Sequence, residues 1–428
     1  MTGNALLKCW TFPVGHKLKR AFWILGTALL LSGLPGLYDR LVHGHINANY
    51  GSVVTWGLWV AAYIYFAGLS AGSLFISSLV YVFNIKRFEN VGRLAVFTAL
   101  VTLLLALLSI GFDLGHMERS WHVVVYPNFK SPMAWMIWLY STYIFLLAAE
   151  MWFLLRRDMV VGSEHQGLRG QLYRILTLGS RDISESSAMR DRKIVRVLAS
   201  ICVPLAIMFH GGVGALFGVV SARPHWHSGL FPILFVLSAL VSGGALLTLA
   251  AAIFQEGWTR NRDTVIALGR LVLGLLLLDV LFQVSEILIA FHGGIPGHVA
   301  GLKLVISGPY WWVFWAWQIV LGTIAPILLL ILPTRHNPLW VSLAGLLIAA
   351  GLFGMRLNIV IPGLAVEEIA GFSEAFISLR TTPHYFPSLS EFSLTAGIVG
   401  LGLLLFGLGE KLLPHDTDQE EVPAHVCA

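Results

Sequence analysis

The segments PMAWMIW at 132–138 and PYWWVFW at 309–315 share the pattern Pro-x-x-Trp-x-x-Trp and lie 177 residues apart. The dipeptide Gly92-Arg93 recurs at the same spacing as Gly269-Arg270. In each copy the dipeptide is followed by an apolar span, a long loop and a further apolar span. Self-similarity over this length predicts a unit of about four membrane helices that is used twice in parallel orientation.

The composition favours a membrane protein. Of the 428 residues, 57% are hydrophobic and 12% are charged, whereas about 25% of the residues in soluble domains are charged. Apolar runs near the ~20 residues that cross a bilayer recur about ten times. We therefore predict an all-α polytopic membrane protein with about ten transmembrane helices, built as two parallel-repeat four-helix bundles plus two flanking helices. The predicted spans are 21–38, 54–83, 92–112, 132–155, 194–219, 230–254, 264–291, 311–332, 339–361 and 391–409.

The repeat also suggests a division of the chain into five parts. In order, they are an N-terminal tail with the first helix, a first bundle, a second bundle, an outer loop with the last helix, and a cytoplasmic tail. Their predicted bounds are 1–53, 54–220, 221–361, 362–410 and 411–428.

Charge in the loops predicts the topology. With these spans, 21 of the 28 Lys and Arg residues fall on one side of the membrane, and the positive-inside rule makes that side cytoplasmic. Both termini are then cytoplasmic, in a bacterial or archaeal inner membrane. The net charge of +5 follows from this topology, so no nucleic-acid partner is implied. The basic loop at 156–193 is expected to contact anionic membrane lipid.

Cysteine and histidine placement argues against a cofactor bound by this chain. The three cysteines, Cys9, Cys202 and Cys427, form no Cys-x-x-Cys pair and no iron–sulfur motif. Di-haem membrane cytochromes need facing histidines within spans, and only His210 lies well inside one. We expect no haem, no iron–sulfur cluster and no metal site.

The densest polar cluster, Asp113, His116, Glu118, Arg119 and His122, lies at the outer end of the third span. Asp113 and His116 share a helix face if the helix continues. A carboxylate beside an imidazole accepts and relays the protons that a hydroquinone releases on oxidation. The alternative is a salt-bridged helix end at the membrane surface, and this alternative is favoured for Glu118 and Arg119.

A second candidate is His210 with Gly211 and Gly212, because two glycines beside an imidazole leave space for a ring. The alternative is a hydrogen-bonded packing histidine. Arg223, in the loop that follows, fits a structural or interfacial role. Tyr65 could donate to a quinone head, although aromatic packing explains it as well.

Three further acids, Glu150, Asp279 and Glu286, lie in or near apolar spans. An unpaired acid there costs roughly 2.5–3.5 kcal/mol on insertion scales, so each should face the interior and have a partner. They are candidates for a proton path, or static hydrogen-bonded anchors.

Several segments resemble the NrfD/polysulfide reductase membrane-subunit family. The most specific is PNFKSPMAW at 127–135, and the others are YIYFAGLSAG at 63–72, DLGHMER at 113–119 and Arg223-Pro224-x-Trp226. The segment YFPSLSE at 385–391 is similar to the ten-helix branch of the family. The resemblance covers most of the chain.

The resemblance implies a cofactor-free subunit that reacts with menaquinone or ubiquinone. Its partners would be a periplasmic four-cluster iron–sulfur subunit and a molybdopterin or multihaem catalytic subunit. Carried over to this chain, Asp113 and His116 match the acid/His motif of the outer-face quinone site, with His210 as a wall and Tyr65 as a ring contact. His122, Gly211 and Arg223 complete the expected quinone-binding set.

The function expected from the sequence is therefore electron exchange between the quinone pool and the iron–sulfur partner, as the quinol-oxidising or quinone-reducing subunit of an oxidoreductase complex. The partner would dock on long non-cytoplasmic loops at 113–131, 292–310 and 356–390. Two alternatives stay open. Duplicated bundles with buried acids also describe secondary transporters, and the bundle could be a structural anchor.

Overall fold

The computed structural model describes residues 14–412 except 165, 166, 256, 368, 370, 376, 377 and 379. Within those residues, ten helices are long and apolar enough to cross a membrane, and all the secondary structure is helical. The predicted all-α polytopic architecture is thus confirmed. The tails at 1–13 and 413–428, which belong to the first and last predicted parts, lie outside the described residues.

We number the ten long helices α1 to α10. Each forms its backbone hydrogen bonds within its own segment, as the hydrocarbon core of a membrane requires. Their bounds are α1 Val14–His43, α2 Leu58–Tyr81, α3 Glu89–Asp113, α4 Pro132–Gly162, α5 Glu185–Gly218, α6 Phe231–Phe254, α7 Arg262–Gly293, α8 Val313–Ile331, α9 Pro338–Ala365 and α10 Leu389–Leu412. Short helices lie at Lys86–Phe88, Met117–Arg119, His122–Val125, Leu168–Leu176, Pro296–Ile306, Pro333–His336 and Phe372–Ala375.

Local sequence explains several helix ends. Proline is the first residue of α4 and of α9, where its missing N–H costs no hydrogen bond. Ser184 caps α5 by accepting a hydrogen bond from the backbone N–H of Ser187. The helix therefore begins at Glu185, earlier than the apolar run at 194–219 indicates, because the cap and not hydrophobicity fixes its start.

The two sets of four helices pack by the same scheme. We call α2–α5 the first repeat and α6–α9 the second repeat. In the first, α2 contacts α3 and α5, and α5 contacts α4; in the second, α6 contacts α7 and α9, and α9 contacts α8. Outside the repeats, α1 packs along α10.

The two repeats contact each other along α2 and α6, and glycines lie at this contact. A Cβ added to Gly243 would lie 2.6 Å from the Cα of Gly72, which no real side chain tolerates. Glycine therefore permits the close backbone approach that stabilises helix pairs in lipid. This contact sets the distance between the two repeats.

The helix order gives the molecule two unlike ends. We call the end with loops 44–57, 114–131, 219–230, 294–312 and 366–388 the long-loop face. The opposite end, with loops 82–88, 163–184, 255–261 and 332–337, is the basic-loop face. Helix α1 begins and α10 ends at the basic-loop face.

Candidate functional site

The predicted pairing of Asp113 with His116 does not form. Helix α3 ends at Asp113, and Leu114 turns into an extended conformation with ψ of 129°. The His116 side chain is 68% exposed, and its Nδ1 lies 2.9 Å from Oε1 of Glu118. The same-face argument fails because the helix stops three residues too early.

Asp113 instead lies in a partly buried cluster with groups from α1, the loop after α1 and α10. Arg40 of α1 donates to the carbonyl oxygens of Phe112 and Leu114, at 2.6 and 2.5 Å, and so caps the end of α3. The charges of Arg40 and Glu391 both act on Asp113. The Oδ1 atom of Asp113 is buried and has no hydrogen-bond partner.

His45, in the loop after α1, is the imidazole of this cluster. Its Nδ1 is 2.5 Å from the hydroxyl of Tyr50, and its Nε2 is buried without a partner. Burial, together with the charge of Arg40, lowers the pKa of His45, so the ring is neutral near pH 7. Burial and the charge of Asp113 raise the pKa of Tyr50. His45 lies 68 residues before Asp113, so no local sequence pattern links the two residues.

Glu391 is the fully bonded carboxylate of this group. It accepts hydrogen bonds from the Tyr385 hydroxyl and from the backbone N–H groups of Asn49, at 3.0 Å, and Ser388, at 2.9 Å. A carboxylate held by several donors is stable as an anion. We call Arg40, His45, Tyr50, Asp113 and Glu391 the Asp113 cluster. In it, one acid is satisfied and the other has a free oxygen.

A groove on the long-loop face reaches this cluster at Tyr50. Its wall includes Tyr50 from the cluster and Tyr385, which bonds to Glu391. Tyr310 and Trp312 of the second repeat line the other part. The groove therefore joins the Asp113 cluster to the surface between loops of both repeats.

His210 lies far inside α5, and the space predicted beside its glycines is filled. Val236 would contact a Cβ on Gly211 at 3.3 Å, and the Met136 side chain packs against Gly212. Neither ring nitrogen of His210 has a hydrogen-bond partner. Its ring packs against Gly68 of α2, which has no side chain to displace it. A small apolar crevice adjoins the ring.

The other expected ring contacts are placed apart from Asp113. Tyr65 donates to the backbone carbonyl of Ala349 at 2.8 Å. Arg223 donates to the carbonyls of Leu364 and Val366, at 3.2 and 3.1 Å, and so caps α9. His122 is exposed at the long-loop face. The part of these residues in quinone binding stays a prediction.

The three buried acids have different surroundings. Glu150 of α4 is fully buried, and neither carboxylate oxygen has a hydrogen-bond partner. Asp279 accepts from the Gln283 amide at 2.5 Å. Glu286 accepts from Ser228 at 2.8 Å, while its Oε1 stays unpaired, 3.9 Å from Nε2 of His298.

Asp279 belongs to a polar chain that crosses the second repeat. Asn358 of α9 donates to Gln318 of α8 at 2.8 Å, Gln318 donates to Gln283 of α7 at 2.9 Å, and Gln283 donates to Asp279. Buried Arg356 adds its charge to Asp279. It also donates to Ser238 at 2.6 Å, and its guanidinium lies 4.7 Å from the centre of the Phe235 ring.

A partly open cavity lies beside this chain. Polar side chains of Gln283, Glu286, His298, Gln318 and Asn358 line part of it, and apolar side chains line the rest. Mostly apolar walls with a few convergent polar groups are typical of small-molecule sites. Of these residues the sequence analysis had singled out Glu286 alone, since single amides inside apolar spans give no periodic signal.

In the described part of the chain, no three His, Cys, Asp or Glu side chains converge as metal ligands. The fold and these buried groups together define a multi-pass integral membrane protein with polar sites inside its helix bundles.

The chain belongs to the NrfD family. The family model described as "Polysulphide reductase, NrfD" matches residues 46–368, and the resemblance seen in the sequence is thereby confirmed. The chain is similar to the C subunit of a selenate reductase of Mesobacillus selenatarsenatis, with 37% identity over 95% of this chain and 96% of the relative.

Two archaeal relatives have comparable coverage. A protein of Halobacterium salinarum that is named as a putative dimethyl sulfoxide reductase membrane subunit is 31% identical over 92% of this chain and 91% of its own length. The Hdr-like menaquinol oxidoreductase integral membrane subunit of Archaeoglobus fulgidus is 30% identical over 89% of this chain and 86% of its own.

Proposed function

We propose that this protein is the quinone-reactive membrane subunit of a respiratory oxidoreductase complex. It exchanges electrons between the menaquinone or ubiquinone pool and a periplasmic iron–sulfur partner, which passes them to or from a molybdopterin or multihaem catalytic subunit. Support comes from the family, from relatives named as subunits of a selenate reductase and of a menaquinol oxidoreductase, and from a buried acid/imidazole cluster near one face.

The observation that carries the proposal is the buried, unpaired Oδ1 of Asp113, whose charge acts on Tyr50, the hydrogen-bond partner of His45. A buried carboxylate oxygen without a partner is costly, and a hydroquinone hydroxyl is a donor that would satisfy it. Neutral His45 has an unbonded Nε2 that can take a second proton. Arg40 and Glu391 hold the ends of α1, α3 and α10 around these groups.

The chemistry balances within this arrangement. A hydroquinone loses two electrons and two protons when it becomes a quinone. One proton goes to Asp113 and one to His45, and both leave to water through the groove at Tyr50. The two electrons go singly to the iron–sulfur partner. In the reverse direction the same groups protonate the reduced quinone.

The partner docks on the long-loop face, since electron transfer needs its nearest cluster close to the ring. This face is then periplasmic and both termini are cytoplasmic. Photocrosslinking residues at the exposed positions Tyr126 and Phe386 should capture the iron–sulfur subunit, while the same residues at Ile175 and Leu178, exposed on the basic-loop face, should not. Capture from the second pair alone would contradict both the docking face and the orientation.

Asp113→Asn tests the site in purified complex of matched composition. General acid–base catalysis contributes about 10²–10⁴-fold, so we expect quinol oxidation to fall by roughly 100-fold or more. Glu118→Gln is the matched control, because Glu118 is 67% exposed and five residues away. Equal turnover in Asp113→Asn and wild type would overturn the assignment.

Variants of His45 and His116 distinguish this site from the one predicted from the sequence alone. His45→Gln should lower quinol turnover strongly and change its pH profile. His116→Gln should stay within about twofold of wild type, as exposed substitutions do. The reverse order would move the site to the exposed loop after α3.

A further inference from the structure

The cavity of the second repeat is lined by side chains of α7 whose counterparts in the first repeat are short and buried. At the repeat spacing of 177, Asp279, Gln283 and Glu286 of α7 correspond to Thr102, Ala106 and Ser109 of α3. Thr102 and Ser109 bond to carbonyls of their own helix, at 2.7 and 2.8 Å, and are buried. The side chains of α7 are longer and reach other elements. The second repeat therefore has a polar cavity wall at positions where the first repeat has short side chains.

Two sets of polar groups face this cavity. The first is Glu286 with His298, which are 3.9 Å apart, too far for a hydrogen bond. The Oε1 atom of Glu286 is buried and has no hydrogen-bond partner, and the Glu286 side chain lines the cavity. The second set is the amide chain that begins at Gln283, three residues earlier on α7 and thus about 4.5 Å along the helix axis.

The remaining walls limit what the cavity can hold. They are aromatic and aliphatic, with Phe231, Phe235, Phe314, Leu302 and Val305 among them. No Lys or Arg is among the described residues that line it, so a phosphate or carboxylate ligand would lack a counter-charge. A row of water molecules would lie against these apolar walls, which is unfavourable. A neutral, planar ring with oxygen atoms on opposite edges satisfies both the polar groups and the apolar walls.

We propose that this cavity is a second binding site for a quinone or hydroquinone ring, separate from the Asp113 cluster. The inference rests on the proposed function, because it takes the same class of ligand. Glu286 accepts from one ring hydroxyl, or His298 donates to one ring carbonyl, and the amides of Gln283 and Asn358 bind the opposite oxygen. The rings of Phe235 and Phe314 pack against the ligand.

The imidazoles at the cavity suit an uncharged ligand. Burial and the neighbouring His298 lower the pKa of His225 to about 4, and burial lowers the pKa of His298. Both rings are therefore neutral near pH 7 and do not repel or trap charge. The π-helical segment Val313–Ile324, which carries Gln318, lies along the same cavity, and such segments are frequent at functional sites.

A radiolabelled azido-naphthoquinone with a short isoprenoid chain tests the proposal in the purified complex. Equilibrium binding counts the sites, and illumination followed by peptide mapping locates them. We expect two molecules bound per copy of this chain. One should label peptides near Asp113, and the other should label α7 and the helix Pro296–Ile306.

Two variants separate the polar and the steric contribution. Val305→Phe fills the cavity without removing a polar group, and Glu286→Gln keeps the shape but removes the charge. Each should abolish the label on α7 and leave the label near Asp113. Glu185→Gln, an exposed change on the basic-loop face, is the control and should keep both.

The outcomes distinguish this inference from the proposed function. A single site that Asp113→Asn removes and Val305→Phe leaves intact would overturn the second site and retain the first. A single site with the reverse sensitivities would support a ring site in the second repeat and contradict the Asp113 assignment. No binding at either site would overturn both.

Discussion

The first and second repeats have the same helix packing scheme but different interiors. In the first repeat the space between helices is filled by rings: Tyr140 is nearly buried, Tyr143 and Phe209 are fully buried, and the Phe209 ring centre lies 4.9 Å from that of Tyr140. In the second repeat, amides and an acid line a partly open cavity. Helix packing was retained after the duplication while the buried chemistry diverged.

The helices α4 and α8 differ in the same sense. Helix α4 is α-helical over Pro132–Gly162, whereas its counterpart is a π-helix over Val313–Ile324. The wider turn leaves main-chain and side-chain groups in a different register, and Gln318 on it bonds to both α7 and α9. Small-residue contacts such as Gly72 with Gly243 keep the repeats together regardless of what each contains.

Removing Arg356 should have the largest effect on stability, because it is a buried cation in the interior of the second repeat. Arg356→Met removes the hydrogen bond to Ser238 and the positive charge that acts on Asp279, and losing a buried, charge-assisted hydrogen bond costs up to about 3 kcal/mol. Thermal unfolding of the complex in detergent measures the loss. Arg335→Met, an exposed change at the basic-loop face, serves as the control.

The double variant Arg356→Met with Asp279→Asn sharpens this result. If the loss comes from an uncompensated carboxylate, the second change should restore part of the stability. An additive double variant would mean that the packing of Arg356 on Phe235, and not its charge, is what the second repeat needs.

Exchanging residues between the repeats should have an intermediate effect. Ala106→Gln inserts an amide into a closed interface, and overpacking costs about 1–3 kcal/mol. The corresponding Gln283→Ala enlarges an existing cavity and breaks the amide chain, so it should affect ring binding more than stability. The unfolding temperature and azido-naphthoquinone labelling of both variants test the asymmetry. Equal destabilisation by the two changes would show that both interiors are equally closed.

The pH dependence of stability should show the smallest effect, and it arises in the second repeat. An unfolded chain protonates His225 near pH 6.5, whereas the folded protein resists protonation down to about pH 4. Between these values the unfolded state binds more protons, so stability falls as the pH decreases. Between pH 6.5 and 5.5 the loss should be about 1 kcal/mol. His225→Gln should flatten the unfolding temperature over this range. An unchanged pH slope would contradict a neutral, buried His225.

The long apolar runs made the architecture predictable. Each of the ten predicted spans corresponds to one helix of the structure, because hydrocarbon leaves a spanning segment little choice but to form a helix. The ends of the helices were harder to predict. Asp113 was expected to continue toward His116, but a helix end depends on caps such as Arg40, which comes from a distant part of the chain.

The partners of the buried polar groups were the hardest feature to predict from the sequence. Asp113 was paired in the sequence with the nearest histidine, and the fold instead places it in a cluster with His45. Gly211 and Gly212 suggested an opening, but Val236 and Met136 fill it. The amides Gln318 and Asn358 carried no signal alone and acquire meaning only as members of a chain across three helices.

The sequence by itself determined the membrane spans, their duplication and the family, because each depends on local hydrophobicity or on motifs within one segment. Only the tertiary structure decided which buried polar groups face one another and which of the two repeats encloses a cavity. The reason is physical: lipid constrains every segment independently, whereas a buried donor or acid takes its partner from whichever helix the packing brings near.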